Sequence, residues 1–274
     1  MNAALPVAAA LAGGIWLGWR WFEWRKLYHP HRDIARTPDA VGLEYETVEF
    51  IAEDAVRLWG WWIPCEDARG AVLYCHGNGD NIGDLVDAAA DLHGLGVHVF
   101  LFDYRGYGLS RGVPTEKGTY RDARAAFECV RARYGDADQP PVVVLGRSLG
   151  GAVAAQLALD KPVRGLILES TFASTAAMGR RLYPWLPAER ICRFRYDTLS
   201  KAPRIAVPTL IAHSPEDGLI PHEQAQAVFR QSGARAKRFV ELRGRHNEAG
   251  WRLTPAYFAA IRVFLSECLD GGPT

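Results

Sequence analysis

Residues 142–154 read VVVLGRSLGGAVA. The apolar run Val142-Val143-Val144-Leu145 predicts a buried strand, and the small-residue run from Gly151 to Leu159 predicts a helix. Between them stands only Gly146-Arg147-Ser148-Leu149-Gly150. A chain that passes from strand to helix in so short a link has no room for a Cβ at the flanking glycines. The serine between them is forced into a strained backbone conformation that lifts its Oγ above the sheet. The helix that begins at Leu149 aims its first N–H groups at whatever binds there, which favours a developing negative charge.

The rest of the chain repeats the strand–helix alternation. Strands are expected at 45–50, 56–63, 71–75, 97–102, 165–168, 208–213 and 238–242. Helices are expected at 81–92, at 119–134 with Thr119 as N-cap, at 222–230, and after Thr254 with Pro255 in its first position. Such alternation predicts an α/β protein with a mostly parallel sheet covered by helices on both faces. The 274 residues suffice for one large domain. A net charge of +1 gives no reason to expect a nucleic-acid partner. The five cysteines form no C-x-x-C pair and no zinc spacing, so neither metal, cofactor nor disulfide framework is expected.

A nucleophilic serine needs a base, and the base an orienting acid; on a strand–turn–helix elbow the chain order is Ser, acid, His. Asp217 follows the strand at 208–213, and His246 follows the strand at 238–242. Glu216 is the competing acid beside Asp217. His213, at a strand end, reads as a hydrogen-bonded core residue, and His222 as an exposed helix-opening residue. The turn Cys75-His76-Gly77-Asn78-Gly79 suits an oxyanion loop, with the Asn78 N–H joining that of Leu149 as donors. Asp103 and Arg105 are expected to brace the loops around the site.

Together His76-Gly77-Asn78-Gly79, Asp103-Tyr104-Arg105-Gly106-Tyr107-Gly108, Gly146-Arg147-Ser148-Leu149-Gly150-Gly151, Glu169-Ser170-Thr171-Phe172 and Gly244-Arg245-His246-Asn247-Glu248 resemble the α/β-hydrolase superfamily over residues 44–269. The similarity is to a branch of membrane-anchored serine hydrolases and protein depalmitoylases. It implies the α/β-hydrolase fold and Ser148, Asp217 and His246 as the triad. The sequence departs from that branch at His213-Ser214, where the branch reads His-Gly. It also lacks the N-terminal cysteine cluster of the depalmitoylases, so their activity is not carried over.

The stretch from Ala3 to Trp19 is uncharged, and Trp21, Phe22 and Trp24 follow with Arg20, Arg25 and Lys26. It reads as an uncleaved single-pass membrane anchor with an aromatic belt, slightly short of the roughly 20 apolar residues of a span, in preference to a cleaved signal peptide and to a buried amphipathic helix. The basic flank places the catalytic body in the cytoplasm. The expected organisation is an anchor at 1–26, a linker at 27–43 and a catalytic domain at 44–274. A small helical cap is inserted at about 171–203. Two readings of the cap stand: Leu182, Tyr183, Trp185, Leu186 and Phe194 line an acyl channel while Arg180, Arg181, Arg190, Arg193 and Arg195 meet lipid headgroups, or these residues form an ordinary solvated basic face over a few core aromatics; the anchor favours the first. The expected function is hydrolysis of an apolar acyl ester or thioester, with the membrane as partner. The competing readings are a serine aminopeptidase-like enzyme and a non-catalytic binding protein on the same fold. The latter is disfavoured because all three triad residues are present.

Overall fold

The β-branched and leucine-rich runs become strands of one sheet in the computed structural model, which describes residues 4–135 and 141–270. The strands are β1 (Glu46–Ile51), β2 (Arg57–Ile63), β3 (Ala71–Cys75), β4 (His98–Phe102), β5 (Val142–Arg147), β6 (Gly165–Glu169), β7 (Thr209–His213) and β8 (Lys237–Glu241). Their order is β1-β2-β4-β3-β5-β6-β7-β8. β1 and β2 pair antiparallel with each other, and β2 antiparallel with β4; every later pairing is parallel. Every residue of β3, β6 and β7 is buried, as a strand covered on both faces requires, whereas β8 at the edge is largely exposed.

The helices are α1 (Ala4–Leu27), α2 (Val86–His93), α3 (Glu116–Arg131), α4 (Leu149–Asp160), α5 (Thr175–Leu182), α6 (Ala188–Ile191), α7 (Thr198–Lys201), α8 (His222–Gln231) and α9 (Pro255–Leu269). Successive strand residues face opposite sides. Leu73, Val142 and Val144 therefore pack with Ala126, Phe127 and Val153 of α3 and α4, while Val72, Val143 and Leu145 pack with Val86, Ile261 and Leu265 of α2 and α9. β3 has β4 on one side and β5 on the other, so the strand order reverses there. The carboxyl ends of β3 and β5 thus border the crevice where open α/β sheets bind ligands.

Two local expectations are corrected. Thr119 does not cap α3. Thr115, four residues earlier, holds the extended backbone of an N-cap and accepts from the Gly118 N–H at 3.1 Å, while Thr119 sits inside the helix and donates to the Glu116 carbonyl. The spanning anchor is also not supported, because no helix among the described residues is long and apolar enough to cross a membrane. The uncharged part of α1 is rich in small alanines and glycines, and Arg20, Glu23, Arg25 and Lys26 fall within its last two turns. Those last turns lie on the domain. Trp19 Nε1 donates to the Ile191 carbonyl at 3.3 Å, Trp24 Nε1 to the Pro114 carbonyl at 2.9 Å, and the next residue after the helix, Tyr28, is buried. Residues 1–3 of the expected anchor and 271–274 of the expected domain lie outside the described residues.

Candidate active site

Ser148 follows β5 directly and adopts φ 53° and ψ −118°. This is a conformation that only strong local constraint imposes on a residue with a side chain. The constraint is visible at the flanking glycines. A Cβ on Gly146 would meet the Gly150 carbonyl and the Ala154 side chain, and one on Gly150 would meet the Cys75 and His76 carbonyls. Ser148 occupies the N-cap position of α4, yet its hydroxyl makes no capping hydrogen bond. The Oγ is instead 3.2 Å from His246 Nε2.

His246 lies in the loop after β8, and its Nδ1 is 2.6 Å from Asp217 Oδ2. The acid is held by the loop after β7, where Leu219 and Ile220 N–H groups donate to Oδ1 at 2.9 and 2.8 Å. A carboxylate only accepts, so the Nδ1–H of the neutral imidazole points to Asp217 and the Nε2 lone pair faces the serine. Burial pushes the Asp217 carboxyl up, but the bonds from His246, Ile220 and Leu219 outweigh it and hold it below its ordinary value. The structure therefore brings Ser148, His246 and Asp217 into one hydrogen-bonded line and leaves Glu216 outside it. In this arrangement an imidazole can take a proton from the hydroxyl while its partner acid steadies the resulting charge.

The donors expected for an oxyanion sit beside this line. Leu149 and Asn78 border the same cleft as Ser148. The Leu149 N–H is the first of α4 and has no acceptor within its helix. Asp80 accepts from the neighbouring Gly77 N–H at 3.2 Å, and the Asn78 side chain and carbonyl are bound by Leu27 and Tyr107. His76 packs beneath this loop, where burial lowers its pKa to about 4 and keeps the ring neutral. Asp103 braces the turn by accepting from the Ile82 N–H at 3.0 Å, and burial raises its carboxyl to about 7. Arg105 pairs with Asp122 and Asp54, both at 2.8 Å.

Three features escaped the sequence reading. Arg147, the residue before the serine, donates to the His246 carbonyl at 3.0 Å and pairs with buried Glu169 at 3.3 Å. The elbow itself thus grips the loop that carries the histidine. The available signal was an arginine placed at the end of an otherwise apolar strand. His213 is buried, as expected of a core residue. However, its Nε2–H donates to the Ile220 carbonyl at 2.9 Å and lies 3.5 Å from Asp217 Oδ2, behind the acid. Third, α1 borders the cleft. The cleft, open to solvent, lies above Ser148 between Trp19, Phe22 and Leu27 of α1 and Met178, Leu182 and Tyr183 of the cap. Leu186 and Phe194 also border it, whereas Trp185 is outside and exposed.

Comparison with known proteins bears on the fold and the family. An uncharacterized protein of Mycobacterium tuberculosis is 35% identical over 96% of this chain and 95% of its own length. The α/β hydrolase domain-containing protein WAV2 of Arabidopsis thaliana is 32% identical over 75% of this chain and 73% of its own. The chain belongs to the α/β-hydrolase superfamily. A family model described as serine aminopeptidase, S33 matches residues 66–193 of this α/β-hydrolase. An esterase of Pyrococcus furiosus superposes with a TM-score of 0.74 at 22% identity, covering 88% of this chain and 100% of that one. The hydroxyl, carboxylate and imidazole follow the ends of β5, β7 and β8, in the chain order serine, acid, histidine.

Proposed function

We propose that the protein is a serine hydrolase that cleaves the carboxylic ester or thioester of an apolar acyl group. The observation that carries this reading is the Ser148–His246–Asp217 line opening into a cleft lined mostly by apolar side chains. Ser148 Oγ attacks the acyl carbonyl carbon and gives its proton to His246 Nε2. Asp217 keeps the imidazole in the tautomer that can accept it. The tetrahedral oxyanion receives hydrogen bonds from the Leu149 and Asn78 N–H groups, each such donor being worth about 3–4 kcal/mol of barrier. Collapse breaks the bond to the leaving alcohol or thiol, which takes the proton from His246. Water, deprotonated by the same imidazole, then attacks the acyl-serine and releases the acid.

The family model's description raises a second reading, an aminopeptidase. A peptide amino terminus needs an acid in the cleft. Glu23 is the acid bordering it; its Oε1 accepts from the Arg193 and Phe194 N–H groups at 2.6 and 3.0 Å, while its Oε2 is buried without a hydrogen-bond partner. The otherwise largely apolar lining of the cleft favours the ester. A lipid surface is the partner proposed for the uncovered part of α1, where Leu11, Ile15, Trp16, Leu17 and Trp21 are exposed ahead of Arg25 and Lys26. The test compares kcat/KM for p-nitrophenyl decanoate, an S-decanoyl thioester and an aminoacyl p-nitroanilide, with Ser148→Ala as control. The acyl substrates are expected to exceed the anilide by at least about 100-fold, a margin of about 2.7 kcal/mol. The opposite ranking would support the peptidase.

A further inference from the structure

Helix α1 is built into the cleft rather than merely attached to the domain. Its Trp19 indole donates to the Ile191 carbonyl, Phe22 packs edge-on against Tyr183 at 5.8 Å, and Glu23 binds the backbone of Arg193 and Phe194. At its other end the Leu27 carbonyl accepts from Asn78 Nδ2 at 3.0 Å, and His29 N–H donates to the Asn78 carbonyl at 3.3 Å. The helix therefore joins the cap to Asn78, which borders the cleft together with Ser148. The face it turns to the cleft offers Trp19, Phe22 and Leu27 beside Lys26, and the one carboxylate on that face binds the cap backbone through its Oε1.

We propose that this face of α1 is the acyl-recognition wall, with the chain of the substrate lying along Leu27, Phe22 and Trp19 away from Ser148. The wall rests on the hydrolase reading of Ser148, but chain binding can be read without turnover. Length is what such a wall senses. An acetyl group ends near Leu27, whereas a longer chain covers Phe22 and then Trp19, removing more apolar surface from water with each methylene.

The experiment measures kcat/KM for p-nitrophenyl esters from acetate to dodecanoate on the full chain, its Phe22→Ala variant and its Phe22→Trp variant. The decanoate-to-acetate ratio is expected to fall tenfold or more with the alanine. With tryptophan, the preferred chain length is expected to shorten. In parallel, displacement of a fluorescent fatty acid by decanoate is measured in the Ser148→Ala background, with and without Phe22→Ala. A tenfold weaker displacement in the double variant supports the wall even if wild type hydrolyses nothing, an outcome that would sink the hydrolase reading alone. An unchanged ratio in both Phe22 variants, with displacement also unchanged, overturns the wall. So does an equal loss on every chain length in variants whose thermal unfolding matches wild type.

Discussion

At the residue scale the account turns on how firmly His246 is held. Its loop has no regular structure; Asp217 holds the imidazole at Nδ1, and the guanidinium of Arg147 holds the backbone carbonyl of the same residue. Arg147→Ala is expected to lower kcat about tenfold or more with KM within about twofold, because a misplaced base harms the transition state and not substrate binding. Arg147→Lys should recover part of the loss. An ammonium can still donate to the carbonyl but cannot bridge to Glu169 in the same geometry. Steady-state kinetics with both variants would check this. Ser148 and His246 were legible in the sequence because glycine spacing and strand order locate them; those signals narrow the acid to Asp217 or Glu216, and the family resemblance chooses Asp217. Arg147 was not legible, because the variable position of the elbow motif announces nothing by itself. Asp103 supplies a pH test. Its folded pKa of about 7 lies above the ordinary carboxyl value of about 3.9. The folded state therefore binds the proton more tightly, and the associated stability is present below about pH 4 and lost as pH rises through 7. Asp103→Asn mimics the protonated acid, so its Tm should match wild type near pH 4 and exceed it at pH 8. His76, whose folded pKa of about 4 lies below its ordinary value, acts in the opposite direction. It withdraws stability as pH falls from about 6.5 towards 4.

At the element scale the elbow between β5 and α4 is the least forgiving part of the fold. A methyl on Gly150 would run into the backbone of Cys75 and His76, which cannot move without disturbing β3 and the loop after it. Gly150→Ala is therefore expected to cost more than the ~1–3 kcal/mol of ordinary overpacking, read from urea unfolding. The strands were readable from their apolar runs, and the parallel order from their alternation with helices. The start of α3 was misjudged by four residues because Thr115 and Thr119 are both acceptable caps, and only the turn that precedes the helix chooses between them. α1 was misread for a different reason. An apolar aromatic helix has the same appearance in sequence whether it meets lipid or the cap of its own domain. The charge that betrays the difference is Glu23, which an aromatic belt does not need and a backbone clip does.

At the scale of the whole molecule, α1 divides into two parts with separate consequences. Deleting residues 1–15 removes the N-terminal half of α1, where Leu11 and Ile15 are exposed. Fluorophosphonate labelling should persist, while flotation with anionic lipid vesicles should fall severalfold, as expected when apolar surface leaves an interface. Deleting residues 1–27 also removes the wall of the cleft and the carbonyl that holds Asn78. That form is expected to unfold at a lower temperature and to label poorly. Equal labelling of both truncations would mean that α1 takes no part in the site. The central claim is that Ser148 is activated by His246, and labelling of the full chain with a fluorophosphonate probe tests it most directly. Wild type is expected to label within minutes, while Ser148→Ala should not label at all and His246→Ala only marginally. Undiminished labelling of the Ser148→Ala protein, or a folded wild type that does not label, would contradict it.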